Sequence, residues 1–215
     1  MNKPIEGQKV LVIGRGGGIA RAVSLAARDA GAQVVAAGRD RERLADAYAD
    51  EPGVSIEMVD LTDEASIAAL GERLEAVDHV VSTASARARG RIADLDRDAL
   101  RLSFDTKVIG PVMVAKHFAP RMKEGGSFVI FSGVAASKIA VGTLAVAITN
   151  GAADVLARSL ALELAPIRVN AISPGVIDTG AWDAFGEHAK QDYFAEISAR
   201  NPARRIGTTM DIAEG

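Results

Sequence analysis

The sequence predicts an α/β domain built on one doubly wound parallel sheet with helices on both faces, and three observations carry that prediction. Short runs of β-branched and aliphatic residues alternate with amphipathic segments of about ten or more residues, the pattern of successive right-handed βαβ units. The first run ends in a glycine-dense turn, VLVIGRGGGIA from Val10 to Ala20, that opens directly into an Ala-rich helical segment. No internal repeat, low-complexity tract or linker composition divides the 215 residues, so residues 1–215 read as a single domain.

Taken in order, the first strand gives way at Gly14 to a helix over Ile19 to Ala30, stopped by Gly31. Gln33 to Ala37 is a second strand, after which Asp40 is placed to cap a helix from Arg41 to Ala49. Val54 to Val59 is a third strand, and Thr62 is the expected cap of the helix Glu64 to Glu75. Val77 to Ser82 is a fourth. A long helix, Asp94 to Lys123, is expected to break near Gly110-Pro111, and Gly125-Gly126 reads as a turn before a fifth strand, Ser127 to Phe131. The loop 132–142 leads to a helix from Thr143 to Ala165, stopped by Pro166, and to a sixth strand, Ile167 to Ile172. A mixed segment with Trp182, Phe185, Tyr193 and Phe194 follows, and Thr208 to Gly215 reads as the start of a helix.

Composition narrows the function classes. A net charge of -3 argues against broad phosphate-backbone contacts, so no nucleic-acid partner is expected. Zero cysteines remove disulfides and thiolate chemistry and suit a cytoplasmic location. The N-terminus lacks a signal-peptide core and no uninterrupted apolar run approaches membrane-spanning length, so no membrane partner is expected. His79, His117 and His188 have no companions at metal spacing: His79 reads as a strand-end residue, His117 as part of a helix face, and no metal site is predicted.

The glycine turn carries the first functional signal. Glycines permit φ > 0 and close approach of a pyrophosphate, which would sit on the uncapped N-terminus of the following helix. With the other pieces in order, the chain resembles the short-chain dehydrogenase/reductase family over essentially its whole length. The matching positions are Gly14-x-x-x-Gly18-Ile19-Ala20, Asp60 in VDLTD, and the run ARSLALELAPIRVNAISPG continuing into VIDT. The resemblance implies a Rossmann-type sheet, with six strands visible and a seventh expected beyond a truncated C-terminus. The sixth strand would then be an open edge.

For the cofactor the resemblance assigns Gly14, Arg15, Gly16, Gly17, Gly18 and Ile19 to the pyrophosphate turn and Asp60 with Leu61 to the adenine end. It also assigns Ser82, Thr83, Ala84, Asn150, Pro174, Gly175, Ile177 and Thr179 to the cofactor site. Relatives that select NAD carry an acidic residue after the second strand; here that place reads Gly38-Arg39, and Arg39, with Arg15 as a second charge, implies NADP through a fork onto a 2′-phosphate. Ile13 and Ala20 replace a Thr and a Gly of the family pattern, and Ser82-Thr83-Ala84-Ser85 replaces its Asn-Asn-Ala-Gly type turn, whose hydroxyls are still placed to bond the backbone.

The catalytic half does not carry over. Alignment on ARSLALELAP puts Val146 at the family's Tyr, Asn150 at its Lys, Gly133 at its Ser and Lys107 at its Asn, and no Tyr occurs between Val54 and Asp192. General acid catalysis contributes about a hundredfold to ten-thousandfold. The expectation is therefore an NADP(H)-binding, nominal carbonyl/alcohol oxidoreductase with weak, atypical or absent reductase activity on an unknown small-molecule substrate. One alternative is an active enzyme whose proton donor has moved to Lys138 or Lys107; another is a non-catalytic regulatory or partner subunit. Ser132 is a poor substitute for Gly133, since neighbouring strand residues face opposite ways. Lys138 reads as a solvated loop charge, and Arg87, Arg89 and Arg91 as a solvated basic loop. Relatives pair through the two long helices, which implies a homodimer or homotetramer; Leu144, Ile148, Val155, Leu156 and Leu160 mix core and interface positions.

Overall fold

The computed structural model describes residues 5–214. Strands Lys9–Ile13 (β1), Gln33–Gly38 (β2), Val54–Met58 (β3), Val77–Ser82 (β4), Met122–Phe131 (β5) and Arg168–Ile172 (β6) hydrogen-bond in the order β3-β2-β1-β4-β5-β6. Every pairing is parallel. Period-2 alternation sends successive side chains to opposite faces. Leu11 and Ile13 of β1 therefore join Val80, Phe128 and Ile130 in one core, while Val10 and Val12 join Val34, Val81 and Phe131 in a second.

Each core is closed by helices. The first takes Ile67 and Leu70 of Glu64–Leu74 (α3), Val114 and Phe118 of Gly110–Phe118 (α5), and Ala153 and Ala157 of Leu144–Glu163 (α6). The second takes Ala20 and Ala27 of Gly18–Asp29 (α1). A small separate cluster seats Leu44 of Arg41–Ala47 (α2) against Ala36. By length and composition α6, at a mean hydropathy of 1.2, is apolar enough to cross a membrane, but it lies on the sheet with Ala153, Ala157 and Leu160 in the core.

Strand order reverses between β1 and β4, so a crevice opens at their carboxyl ends, the place where ligands bind in open α/β sheets. Beyond β6, which is the sheet edge, Ile177–Asp178 (β7) and Gly207–Thr208 (β8) form a two-stranded ribbon around the helix Glu187–Arg200 (α7). Thr208 and Asp211 then form a capping box on Thr209–Ala213 (α8), which packs on α1. Gly215 lies outside the described residues.

Several expectations change. The long helix starts at Arg97, where Asp96 accepts a hydrogen bond from the Ala99 N–H at 2.7 Å, as Arg97–Phe104 (α4). The interruption expected near Gly110-Pro111 takes the form of a π turn over Asp105–Ile109, which widens the helix just before the proline ring without ending it, and the helix ends at Phe118. Gly125-Gly126 is no turn between elements: β5 starts at Met122, and an irregularity in the β4–β5 register absorbs the extra residues. Asp63, not Thr62, caps α3, accepting from the Ala65 N–H at 2.9 Å, while Thr62 turns back to donate to Asp60 at 2.8 Å. His79 lies within β4 and bridges Ser127 at 2.8 Å and Gln8 at 2.7 Å.

Candidate functional site

The glycine turn is built as a cradle. A Cβ on Gly14 would meet Thr83 Oγ1 at 2.5 Å and Ala20 Cβ at 2.6 Å, so only glycine lets the ends of β1, α1 and β4 converge. Gly16 and Gly18 have φ of +69° and +54°, which turn the chain into α1. Gly17, at the N-cap of this 12-residue helix, supplies no side-chain bond and has open space where a Cβ would stand. Its first N–H groups are therefore free for an anion, which the helix dipole favours. Thr179 lies against Gly18, roofing that end of the turn.

Flanking groups complete the crevice. Arg15 and Arg39 are both exposed, and among the described residues neither is paired with an acid. Asp60 spends Oδ1 on the Thr62 N–H at 2.9 Å and the Thr62 hydroxyl at 2.8 Å, leaving Oδ2 free. Leu61 is 6% exposed and its side chain belongs to the first core, so only its backbone is left to meet a ligand. Thr83 ties β4 to β1, donating from Oγ1 to the Ile13 carbonyl at 3.1 Å. Ser82 Oγ and Asn150 Oδ1 are buried with no hydrogen-bond partner. Pro174 accepts from the Val134 N–H at 2.9 Å, and Ile177 packs into the ribbon while its carbonyl accepts from Trp182 Nε1 at 2.8 Å.

At the carboxyl end of β5 the four positions that the resemblance aligns with the family's catalytic residues meet in part. Asn150 is 3% exposed and donates from Nδ2 to the Gly133 carbonyl at 3.2 Å. A Cβ on Gly133 would stand 2.7 Å from that nitrogen, so Asn150 occupies space that only glycine leaves open. Lys107, on the π turn, is 7% exposed and donates to the Ser132 carbonyl at 3.0 Å. Burial, then the charge of Arg87, lowers its pKa to about 8, with Asp154 pulling the other way. Ser132 faces away, donating to the Asn150 carbonyl at 3.1 Å. Val146 offers no exchangeable proton. Lys138 is exposed, and the hydroxyls of Ser137, Thr143 and Thr149 bond nearby carbonyls of their own segments.

Comparison with known proteins decides the lineage. A sequence model of the family described as enoyl-(acyl carrier protein) reductase matches residues 14–215. L-xylulose reductase of Mus musculus is 36% identical over 185 residues, covering 83% of this chain and 75% of the mouse protein. The chain belongs to the short-chain dehydrogenase/reductase family. Carbonyl reductase [NADPH] 2 of Sus scrofa is 31% identical over 220 residues, 99% of this chain and 88% of its own length. A short-chain type dehydrogenase/reductase from Mycobacterium ulcerans superposes with a TM-score of 0.86 at 31% identity, covering 98% of this chain and 82% of the other. A small-chain dehydrogenase solved with NADPH does so at 0.81 and 29%, covering 97% and 89%.

The dinucleotide of a short-chain dehydrogenase/reductase fits what is present here: an uncapped helix N-terminus, a turn a Cβ would fill, and orphaned polar atoms at Ser82 and Asn150. Two features of the site are not legible in its motifs. Arg89 is not simply solvated: its guanidinium lies 5.9 Å above the ring of Trp182, which packs against a tilted Tyr193 ring at 5.1 Å and edge-to-face with Phe185 at 5.8 Å in the segment beyond β7. Tyr193 is thus a packing residue of that cluster. Arg87 acts on Lys107 although twenty residues separate them, and the SARARGR run was its only trace in the sequence.

Proposed function

We propose that this family member binds NADP(H) in the β1/β4 crevice as a nominal carbonyl/alcohol oxidoreductase whose usual tetrad is replaced by Lys107, Gly133, Val146 and Asn150, so turnover by the family's route is weak or absent. The observation that carries this reading is the Gly133–Asn150 contact: the amide fills the space beside Gly133 that a serine side chain would need. When bound, the cofactor supplies or accepts a hydride. Gly14 to Ile19 hold its pyrophosphate and Asp60 its adenine, and Asn150, whose Oδ1 is buried without a partner, stands at the position that the resemblance assigns to the nicotinamide ribose. Unpaired Arg39 and Arg15 support NADP over NAD. Arg39→Ala is expected to weaken NADPH binding about tenfold and leave NADH unchanged, read from energy transfer between Trp182 and the reduced cofactor. Equal losses for both cofactors would remove Arg39 from phosphate recognition.

A second reading, an active enzyme with a relocated proton donor, is favoured at Lys107 and not at Lys138 by the burial of Lys107 and its lowered pKa of about 8. The proposed assembly, in the cytoplasm, is a homo-oligomer through the exposed apolar side chains of the two long helices, Leu102, Ile109, Leu144, Ile148 and Val155.

A further inference from the structure

We propose that Arg87 and Lys107 form an anion subsite at the carboxyl ends of β4 and β5, and that the substrate it holds carries a carboxylate, making it a small oxo or hydroxy acid rather than a neutral carbonyl compound. The proposal rests on the reading of this crevice as the cofactor and substrate site, and it names the substrate class. A lysine buried to 7% exposure is ordinarily paired with an acid or kept neutral. Lys107 has neither arrangement: its ammonium carries three donors, its one hydrogen bond goes to the Ser132 carbonyl, and among the described residues no carboxylate lies within ion-pair reach. Asp154 on α6 is the acid whose charge reaches it, and the repulsion from Arg87 is the larger effect.

Arg87 is held in place by the fold rather than wandering on a loop. The next residue, Ala88, is 4% exposed, and its N–H donates at 2.8 Å to the hydroxyl of Ser103, which is 1% exposed and lies on α4, four residues before Lys107. The loop after β4 and the helix bearing Lys107 are thereby pinned together. Among the described residues Arg87 has no hydrogen bond and no acidic partner, and although its side chain reaches solvent, the protein packed around its guanidinium and then the charge of Arg89 lower its pKa. Two cations thus converge without an anion between them. A guanidinium fork and a point charge from a second direction suit a carboxylate, which gains more from both than a neutral oxygen does.

The cofactor does not supply that anion. Its pyrophosphate belongs on the N-terminus of α1, and its 2′-phosphate beside Arg39 at the end of β2. The Arg87–Lys107 pair sits further along the sheet, at the ends of β4 and β5, one to two strands from the pyrophosphate turn on β1 and two to three from Arg39 on β2. Above its pKa of about 8 Lys107 loses its charge, so the subsite weakens in alkaline solution.

The test is NMR of protein labelled with ¹³C at the lysine ε carbons, titrated with malonate as the carboxylate probe and malonamide as its neutral counterpart at constant ionic strength. Malonate is expected to bind saturably and raise the Lys107 pKa by about one unit, the shift a nearby opposite charge produces. Malonamide is expected to do nothing. Arg87→Gln, on an exposed residue, should weaken malonate binding about tenfold, in line with loss of one charge-assisted contact. No saturable response to malonate, an equal response to malonamide, or unchanged affinity in Arg87→Gln would each overturn the subsite. NADPH titrated into the same samples separates the two readings: malonate binding without NADPH binding removes the cofactor assignment and leaves the subsite standing, and the reverse removes only the subsite.

Discussion

Gly133 and Asn150 act as one unit at the residue scale, because the Asn150 amide bonds the Gly133 carbonyl and fills the space that a side chain at 133 would need. Gly133→Ser should destabilise the protein by about 1–3 kcal/mol, since its Cβ would stand 2.7 Å from Asn150 Nδ2. In Gly133→Ser/Asn150→Ala that cost should largely vanish, and a urea-unfolding cycle is expected to show a coupling of about 1 kcal/mol or more; strictly additive losses would separate the two residues. Lys107 makes a different prediction. Its folded pKa of about 8 lies below the unfolded value, near 10.4, so the unfolded chain binds more protons between those limits and stability rises with pH there. Lys107→Met should therefore stabilise the fold at pH 7 by about 2 kcal/mol, the desolvation cost removed less the hydrogen bond lost, and the gain should shrink above pH 10. Thermal melts at the two pH values check it.

Paired strands and the turns between helices carry the effects at the scale of elements. The His79 imidazole locks β4 to Ser127 of β5 and to Gln8 before β1. Burial lowers its pKa, with Asp78 opposing and Arg168 adding to the fall. The unfolded histidine, titrating near pH 6.5, therefore takes up protons that the folded one refuses, and this stabilising contribution is complete above about pH 6.5 and lost as pH falls. His79→Gln should flatten that acid limb in urea melts; an unchanged pH slope would count against the linkage. The π turn at Asp105–Ile109 matters in the same way, since it carries Lys107 toward Ser132 while letting the helix pass Pro111 without a break.

The whole molecule was legible in the sequence wherever period and composition repeat. Strand-helix alternation and the glycine turn predicted the parallel sheet and the strand that ends at the cradle. The π form of the interruption before Gly110-Pro111 and the early start of β5 were not legible, because a π turn and a strand irregularity satisfy backbone bonds without any distinct residue signature. Nor was the approach of Arg87 to Lys107, which depends on Ser103 pinning one loop to one helix. The apolar residues of α6 divide as the pattern left open: Leu160 is core and Leu156 packs on it, whereas Ile148 and Val155 are 47% and 53% exposed. Val155→Asp should therefore dissociate the proposed oligomer, seen as a drop in mass by light scattering, while leaving the fold intact. The central claim is that the cofactor cradle persists while the family's proton chemistry does not. It is tested most directly by titrating NADPH against Trp182 fluorescence and measuring NADPH oxidation with a carbonyl panel in the same preparation. The account predicts saturable binding well below millimolar cofactor with turnover at least about a hundredfold under that of a tetrad-bearing relative; no binding at millimolar NADPH, or turnover equal to that relative, would contradict it.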